Sequence, residues 1–170
     1  MELDNLMKER YSCKKYLGKE IDDKTLTAIL EAGNLAPTAK NAQEQKIYVA
    51  KSDTALKTID AATPCRYGAP VVLVVAYDEN GEFTYPGNKY HSGAEDASIV
   101  ATHMMLKAKD LGVDSCWVNF YDPDKLAESL NLPKNEHVVL LLDLGYADEG
   151  GKPLENHFNR KKLEETVKYI

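Results

Sequence analysis

Cysteine is scarce in this 170-residue chain. Cys13, Cys65 and Cys116 are too few and too scattered for a disulfide framework or a structural zinc site. Basic residues do not dominate either: 21 Lys and Arg stand against 27 Asp and Glu, for a net charge of −6. That excludes retention on nucleic acid by bulk electrostatics. No apolar run approaches the roughly 18 residues of a membrane-spanning helix, and the opening MELDNLMKERYS lacks the apolar stretch of a secretory signal. No GxGxxG follows a strand, GxxxxGK[ST] is absent, and so are HExxH and paired CxxC. Dinucleotide-Rossmann, P-loop and metal-site readings lose their main support. The expectation is a soluble, cytoplasmic protein with no metal, no nucleic-acid partner and no membrane partner.

What is present is enough apolar sequence for a core: 44% of residues are hydrophobic, consistent with one domain over 1–170. Helical spacing predicts a short helix from Leu3 to Tyr11 and another from about Asp23 to Leu35, capped by Asp22 or Asp23 and stopped by Pro37. Residues 36–43 read as a polar loop entering a strand, Lys46 to Ala50. Ser52 caps a helix over Asp53 to Ala61. The run Val71 to Ala76 reads as a strand covered on both faces, and Asp78 to Asn88 as a loop. Asn88 to Leu111 is the longest predicted helix, ended by Gly112, with small residues suited to close packing of another helix. Val113 to Val118 reads as a strand, Asp122-Pro123 opens a helix, and His137 to Leu144 is a second apolar strand. Leu163 to Ile170 fits a final strand or a frayed helix. The mixed order without regular βαβ alternation favours an α+β fold, with helices around a central sheet.

Two groups of residues carry candidate chemistry. The three cysteines are potential nucleophiles with His91, His103, His137 or His157 as base, yet none has a local signature, and a small apolar filler is the favoured reading of Cys116. The second group is basic. Arg10, Lys14, Lys15 and Lys19 cluster near the start, with Ser12 among them, and Arg160, Lys161 and Lys162 cluster near the end. Arg offers a fork of donors that matches phosphate oxygens, and Ser adds a hydroxyl. Two such patches meeting in the fold would make a local anion site in an acidic protein. On composition alone, solvated lysines near helix ends are the favoured alternative.

The segment Glu9 to Tyr16 resembles the opening RxSxR/K-x-aromatic motif of the FMN-dependent nitroreductase family. Ile29 to Gln43 is similar to that family's ILEAAxxAPSxxNxQPW segment, Ala69-Pro70-Val71-Val72 to its aPvvivv stretch, and Leu111 to Val118 to its GlGsCWi stretch. Leu144-Gly145-Tyr146 and Arg160-Lys161-Lys162 complete the series, in order, over nearly the whole chain.

The resemblance implies a nitroreductase-like fold with a mostly antiparallel sheet, working as an intertwined homodimer with two shared active sites. It implies FMN as cofactor, with NADH or NADPH as co-substrate. Arg10, Ser12 and Arg160 would hold the phosphate, with Lys161 or Lys162 as a fourth contact, and Tyr11 would flank them. Lys14 would face the N1/O2 edge of the ring. Pro37, Thr38, Ala39 and Asn41 would come from the partner subunit, and Val118-Asn119-Phe120 would present a backbone N–H to N5. The implied activity is ping-pong hydride transfer to nitroaromatics, quinones or similar electron-poor acceptors, with no obligatory acid or base residue. Alternatives are other flavin chemistry of the family (dehalogenation, enone reduction, azoline oxidation, flavin fragmentation) or FMN binding without turnover. The sequence departs from the pattern in three places. Glu44-Gln45 replace Pro-Trp, Lys14 replaces the commoner Arg, and Asn119-Phe120 stand where short members have Gly-Gly. Little room remains between Asp78 and Asn88 for a helical cover, so the pocket is expected to be open, bordered by Tyr85, Tyr90 and His91.

Overall fold

The apolar runs at Val71 and His137 form the centre of a four-stranded antiparallel sheet. The computed structural model describes residues 2–170. Its strands are β1 (Gln45–Ala50), β2 (Val71–Asp78), β3 (Asp114–Val118) and β4 (Glu136–Gly145), in spatial order β1-β2-β4-β3. Its helices are α1 (Leu3–Glu9), α2 (Asp23–Asn34), α3 (Asp53–Ala62), α4 (Gly93–Asp110), α5 (Pro123–Ser129) and α6 (Leu163–Thr166). The α+β class expected from the sequence is the one observed.

Because successive strand side chains alternate in direction, the two central strands serve two cores. Leu73, Val75, Leu140, Leu142 and Leu144 pack with α2 and α4, while Val72, Val74 and Leu141 pack with Ile59 of α3 and Leu126 of α5. Helix α2 lies against α4 so closely that a Cβ on Gly33 would stand 2.8 Å from Met104 Cγ. The small residue at this contact is Gly33 of α2, which meets Met104 and Val100 of α4, rather than one of the alanines of α4. Caps follow the sequence too. Asp22 Oδ1 accepts from the Thr25 N–H at 2.9 Å, Ser52 caps α3 at Ala55, and Asp122 caps α5 at Lys125, with Pro123 in the first turn.

The main departures from the expected bounds are at α1 and α4, and the C-terminus resolves to the helical alternative. Helix α1 ends at Glu9 rather than Tyr11, because Arg10 is already extended (φ −65°, ψ 143°). Helix α4 starts at Gly93, five residues after Asn88. The intervening segment folds back as a small hairpin, with a Thr84–His91 bridge and Tyr85 N–H donating to Tyr90 C=O at 3.0 Å. At the C-terminus, Leu163–Thr166 is a single helical turn and not a strand.

β4 carries one irregularity. Val75 pairs with Leu140 but Ala76 pairs with Val138, so Val139 is skipped and the strand bulges there.

Candidate functional site

Arg10 leaves α1 in extended conformation, and the chain runs along the edge of the sheet. Ser12 bridges Ser115 of β3, Cys13 N–H donates to Ser115 C=O at 2.9 Å, and Leu17 N–H donates to Tyr146 C=O at 2.8 Å. Cys13 and Tyr16 go inward with Ala69, whereas Ser12 and Lys14 stay exposed.

The other chain end is laid over this segment. Tyr16 bridges Ala147, Asp148 N–H donates to Lys15 C=O at 3.1 Å, and Lys15 Nζ pairs with Asp148 at 3.0 Å. Gly151 passes so near that an added Cβ would lie 2.5 Å from the Lys15 carbonyl oxygen. From there the tail returns over the sheet edge, where the His157 ring meets the Tyr11 ring edge-on at 6.4 Å between centroids.

Between the two ends lies a cavity of about 660 Å³, within the usual range for small-molecule sites. Its floor is Ser12, Lys14, Cys116 and Trp117, and one wall is Cys65 and Tyr67. Arg10, Tyr11, His157 and Arg160 close one side, and Val118, Asn119 and Phe120 form the rim, with Leu154 and Asn156 from the tail. The rim is braced by the bulge: Asn119 Nδ2 donates to the Val139 C=O at 2.7 Å, and its Oδ1 accepts from Trp117 Nε1 at 2.5 Å. Phe120 projects beyond it, 73% exposed.

Charge in this cavity runs against the whole chain. Among the described residues, Arg10, Lys14 and Arg160 line it and no Asp or Glu does. None of these three forms an ion pair with a described carboxylate; Arg160 donates only to the His157 and Asn159 carbonyls. Lys14 Nζ lies 5.9 Å from the Tyr67 ring centroid. Burial pushes the Cys116 thiol up to about 12, with Asp143 adding to the rise and Lys14 opposing it. At neutral pH Cys116 is a protonated thiol, which argues against a nucleophilic role. Among the described residues no cluster of His, Cys, Asp or Glu is arranged to hold a metal ion, and no helix is long and apolar enough to cross a membrane.

Comparison with known proteins agrees with this architecture. The Nitroreductase family model matches residues 7–66 and 63–146. The chain belongs to the nitroreductase family. A curated relative from Archaeoglobus fulgidus, provisionally named NADH dehydrogenase/NAD(P)H nitroreductase, is 30% identical over 144 residues, covering 81% of this chain and 80% of that protein. A nitroreductase family protein of Clostridium difficile 630 superposes with a TM-score of 0.93 at 32% identity, covering 99% of this chain and 98% of the other. A nitroreductase of Bacteroides fragilis NCTC 9343, described with bound FMN, has a TM-score of 0.78 at 25% identity, covering 100% and 99%.

Of the family positions read from the sequence, Arg10, Tyr11, Ser12, Lys14, Val118, Asn119, Phe120 and Arg160 all line one cavity. Lys161 is exposed and outside the lining, and Lys162 opens α6, its N–H donating to Glu165. Pro37, Thr38, Ala39 and Asn41 also lie outside it, in a turn at the start of α4, where Ala39 N–H donates to Asp96 Oδ1 at 2.9 Å. That turn is tied to the hairpin: Lys40 Nζ stands 4.3 Å from the Phe83 ring centroid. Tyr85, Tyr90 and His91 ride on this hairpin and are not among the lining residues. Sequence reading missed Cys65, Tyr67, Asn156 and His157 as lining residues. No sequence motif marked them: a turn after α3, left-handed at Tyr67 (φ 53°), brings in Cys65 and Tyr67, and the returning tail brings in Asn156 and His157.

Proposed function

We propose that this nitroreductase-family protein is an FMN-dependent oxidoreductase that draws hydride from NADH or NADPH and reduces flat, electron-poor acceptors such as nitroaromatics and quinones. The observation that carries this is a cavity lined by three unpaired cations and no carboxylate in a chain of net charge −6. The residues fit the cofactor. Arg10, Ser12 and Arg160 would hold the phosphate, each charge-assisted bond contributing about 1.5–3 kcal/mol. Tyr11 would pack beside it, and Lys161 or Lys162 would add a fourth contact only by turning inward. Lys14, near Tyr67 and Cys116, would place its positive charge at the electron-accepting edge of the ring. Bound FMN supplies hydride acceptance and release at N5, the pyridine nucleotide and the oxidant using the same exposed face in turn. The Val118–Phe120 backbone would contact the ring edge, held in register by Asn119. Phe120, bulky and exposed, narrows the substrate side and favours stacking over hydrogen bonding as the means of positioning.

We further propose a homodimer with shared sites. Pro37, Thr38, Ala39 and Asn41 of the partner subunit would complete each cavity. Support comes from the apolar residues left exposed on one chain, among them Leu35 at 81%, Leu163 at 65% and Tyr169 at 94%. The single domain and the cytoplasmic location expected from the sequence belong to this reading.

The deciding experiment is purification followed by visible spectroscopy, reconstitution with FMN, and anaerobic mixing with NADH or NADPH. A yellow protein bleached by either nucleotide, and re-oxidised by nitrofurazone or a quinone, is expected. Colourless protein that refuses FMN would overturn the cofactor assignment, and flavin that no nucleotide bleaches would leave a non-catalytic binder. Turnover of a halotyrosine without turnover of nitro compounds or quinones would redirect the activity to dehalogenation.

A further inference from the structure

Behind the cavity wall sits an ionisable group that the proposed chemistry does not use. Asp143, near the C-terminal end of β4, is fully buried, and neither of its carboxylate oxygens has a hydrogen-bond partner. Its neighbours across the sheet are Val72 on β2 and Cys116 on β3, and Cys116 is part of the cavity floor. The cation that acts on it, Arg66, is committed elsewhere. Arg66 gives Nε and Nη2 to Asp60 at 2.7 and 2.6 Å and Nη1 to the Ala69 carbonyl at 2.7 Å. A carboxylate in such a place has lost water without gaining a donor, so its neutral form is strongly favoured.

We propose that Asp143 is proton-linked to the cavity, so that an anionic ligand binds to the form in which Asp143 is neutral. This rests on the FMN reading given above and adds a regulatory residue to it. Ionised Asp143 would set a negative charge beside Cys116, on which Lys14 also acts, and oppose a bound phosphate and a negatively charged reduced ring. Linkage is reciprocal: if ionisation weakens the ligand, the ligand must hold the proton on Asp143. Burial pushes this carboxyl up to about 9, against the pull of Arg66, with Cys65 and Asp60 adding to the rise. The other groups within electrostatic reach are Cys116 from β3, Cys13 and Tyr16 from the N-terminal segment, and Tyr67 from the wall. Burial raises Cys13, Cys116 and Tyr16, while Tyr67 is raised first by its bond to Cys65.

The test is FMN titration of apo wild type and Asp143→Asn between pH 7 and pH 10, by calorimetry in two buffers of different ionisation heat. Wild type should take up a proton on binding above pH 9, and its Kd should rise by up to tenfold per pH unit relative to the variant. Titrations of FMN itself are common to both proteins and cancel in the comparison. Equal pH slopes with equal proton uptake overturn the linkage while leaving FMN binding intact. FMN that fails to bind wild type at pH 7 overturns the cofactor reading and this inference with it. Infrared difference spectra of wild type give a readout that needs no variant. A protonated-carboxyl C=O band at pH 8 that grows when FMN is added at pH 9 is expected, and a carboxylate-only spectrum at pH 8 refutes the proposal.

Discussion

Asp143 also makes a prediction that requires no cofactor. Its carboxyl stands near the ordinary value of 3.8 in the unfolded chain and is pushed up to about 9 in the fold. The folded state therefore binds more protons than the unfolded state between those limits. Its contribution to stability is complete below pH 4, falls as pH rises, and is fully lost above about pH 9. The slope is at most about 1.4 kcal/mol per pH unit, so wild type apo protein should lose up to about 4 kcal/mol between pH 5 and pH 8. This is a ceiling, because local opening that admits water to the carboxylate relieves part of the cost. For a chain of this size about 1 kcal/mol moves Tm by about 2–4 °C, so the ceiling corresponds to a drop on the order of 8–16 °C. Asp143→Asn keeps the shape and cannot ionise. The carboxylates held below their usual value, Asp22, Asp60, Asp78, Asp110, Asp122 and Asp148, stabilise only above their unfolded values and act in acid; they cancel in the comparison. The assay is urea unfolding of apo wild type and variant at pH 5, 6.5 and 8. The variant should overtake wild type as pH rises, and parallel profiles within about 0.5 kcal/mol would refute the reasoning.

Arg10→Ala should weaken FMN binding by roughly tenfold to 100-fold, the loss of one charge-assisted contact; unchanged affinity in a fluorescence titration would remove Arg10 from the phosphate. Lys14→Ala should slow anaerobic flavin reduction by NAD(P)H more than it weakens FMN retention, which stopped-flow and equilibrium dialysis separate. Gly33→Val drives a branched side chain against Met104 and Val100 and should cost about 1–3 kcal/mol by overpacking, measured as a lower urea midpoint with unchanged m. On serial dilution, FMN release should track the change from dimer to monomer seen by analytical ultracentrifugation, since each site is proposed to need both subunits.

The elements that sequence reading placed correctly are those where one local rule acts without competition. β2 and β4 are apolar because both faces are covered, and α2, α3 and α5 begin at Asp22, Ser52 and Asp122 because those side chains accept the first free N–H groups. The start of α4 was misplaced because helical periodicity carries back through Asn88 without a break. What stops the helix is pairing across the hairpin of Thr84 with His91 and of Phe83 with Ser92. Pro86-Gly87, a turn signal, was the local hint of that hairpin. Arg10, Ser12 and Arg160 could be grouped from charge and motif. Cys65, Tyr67 and His157 could not, since a turn after α3 and a returning tail bring them in. Asp143 was hidden in plain view: the run HVVLLLDLG reads as a buried strand, and a carboxylate inside one contradicts that burial unless it is neutral or serves something.

The cavity's cations remain unpaired because of how the chain ends are used. Along Arg10 to Tyr16 the extended backbone satisfies its hydrogen bonds on β3 and on the tail, so the basic side chains are not needed to hold the fold. Lys15, pointing to the other side, is the one neutralised by Asp148. Lys14 and Arg10 face a space with no carboxylate among its described lining residues, and Asp143, paired across the sheet with Cys116, is enclosed behind it, where desolvation keeps it uncharged. The positive field of the cavity thus depends on a burial as much as on its cations. An anion site built on the sheet edge of an acidic protein survives at neutral pH because the carboxyl behind it cannot afford to ionise, and it should weaken at the pH where ionisation becomes possible.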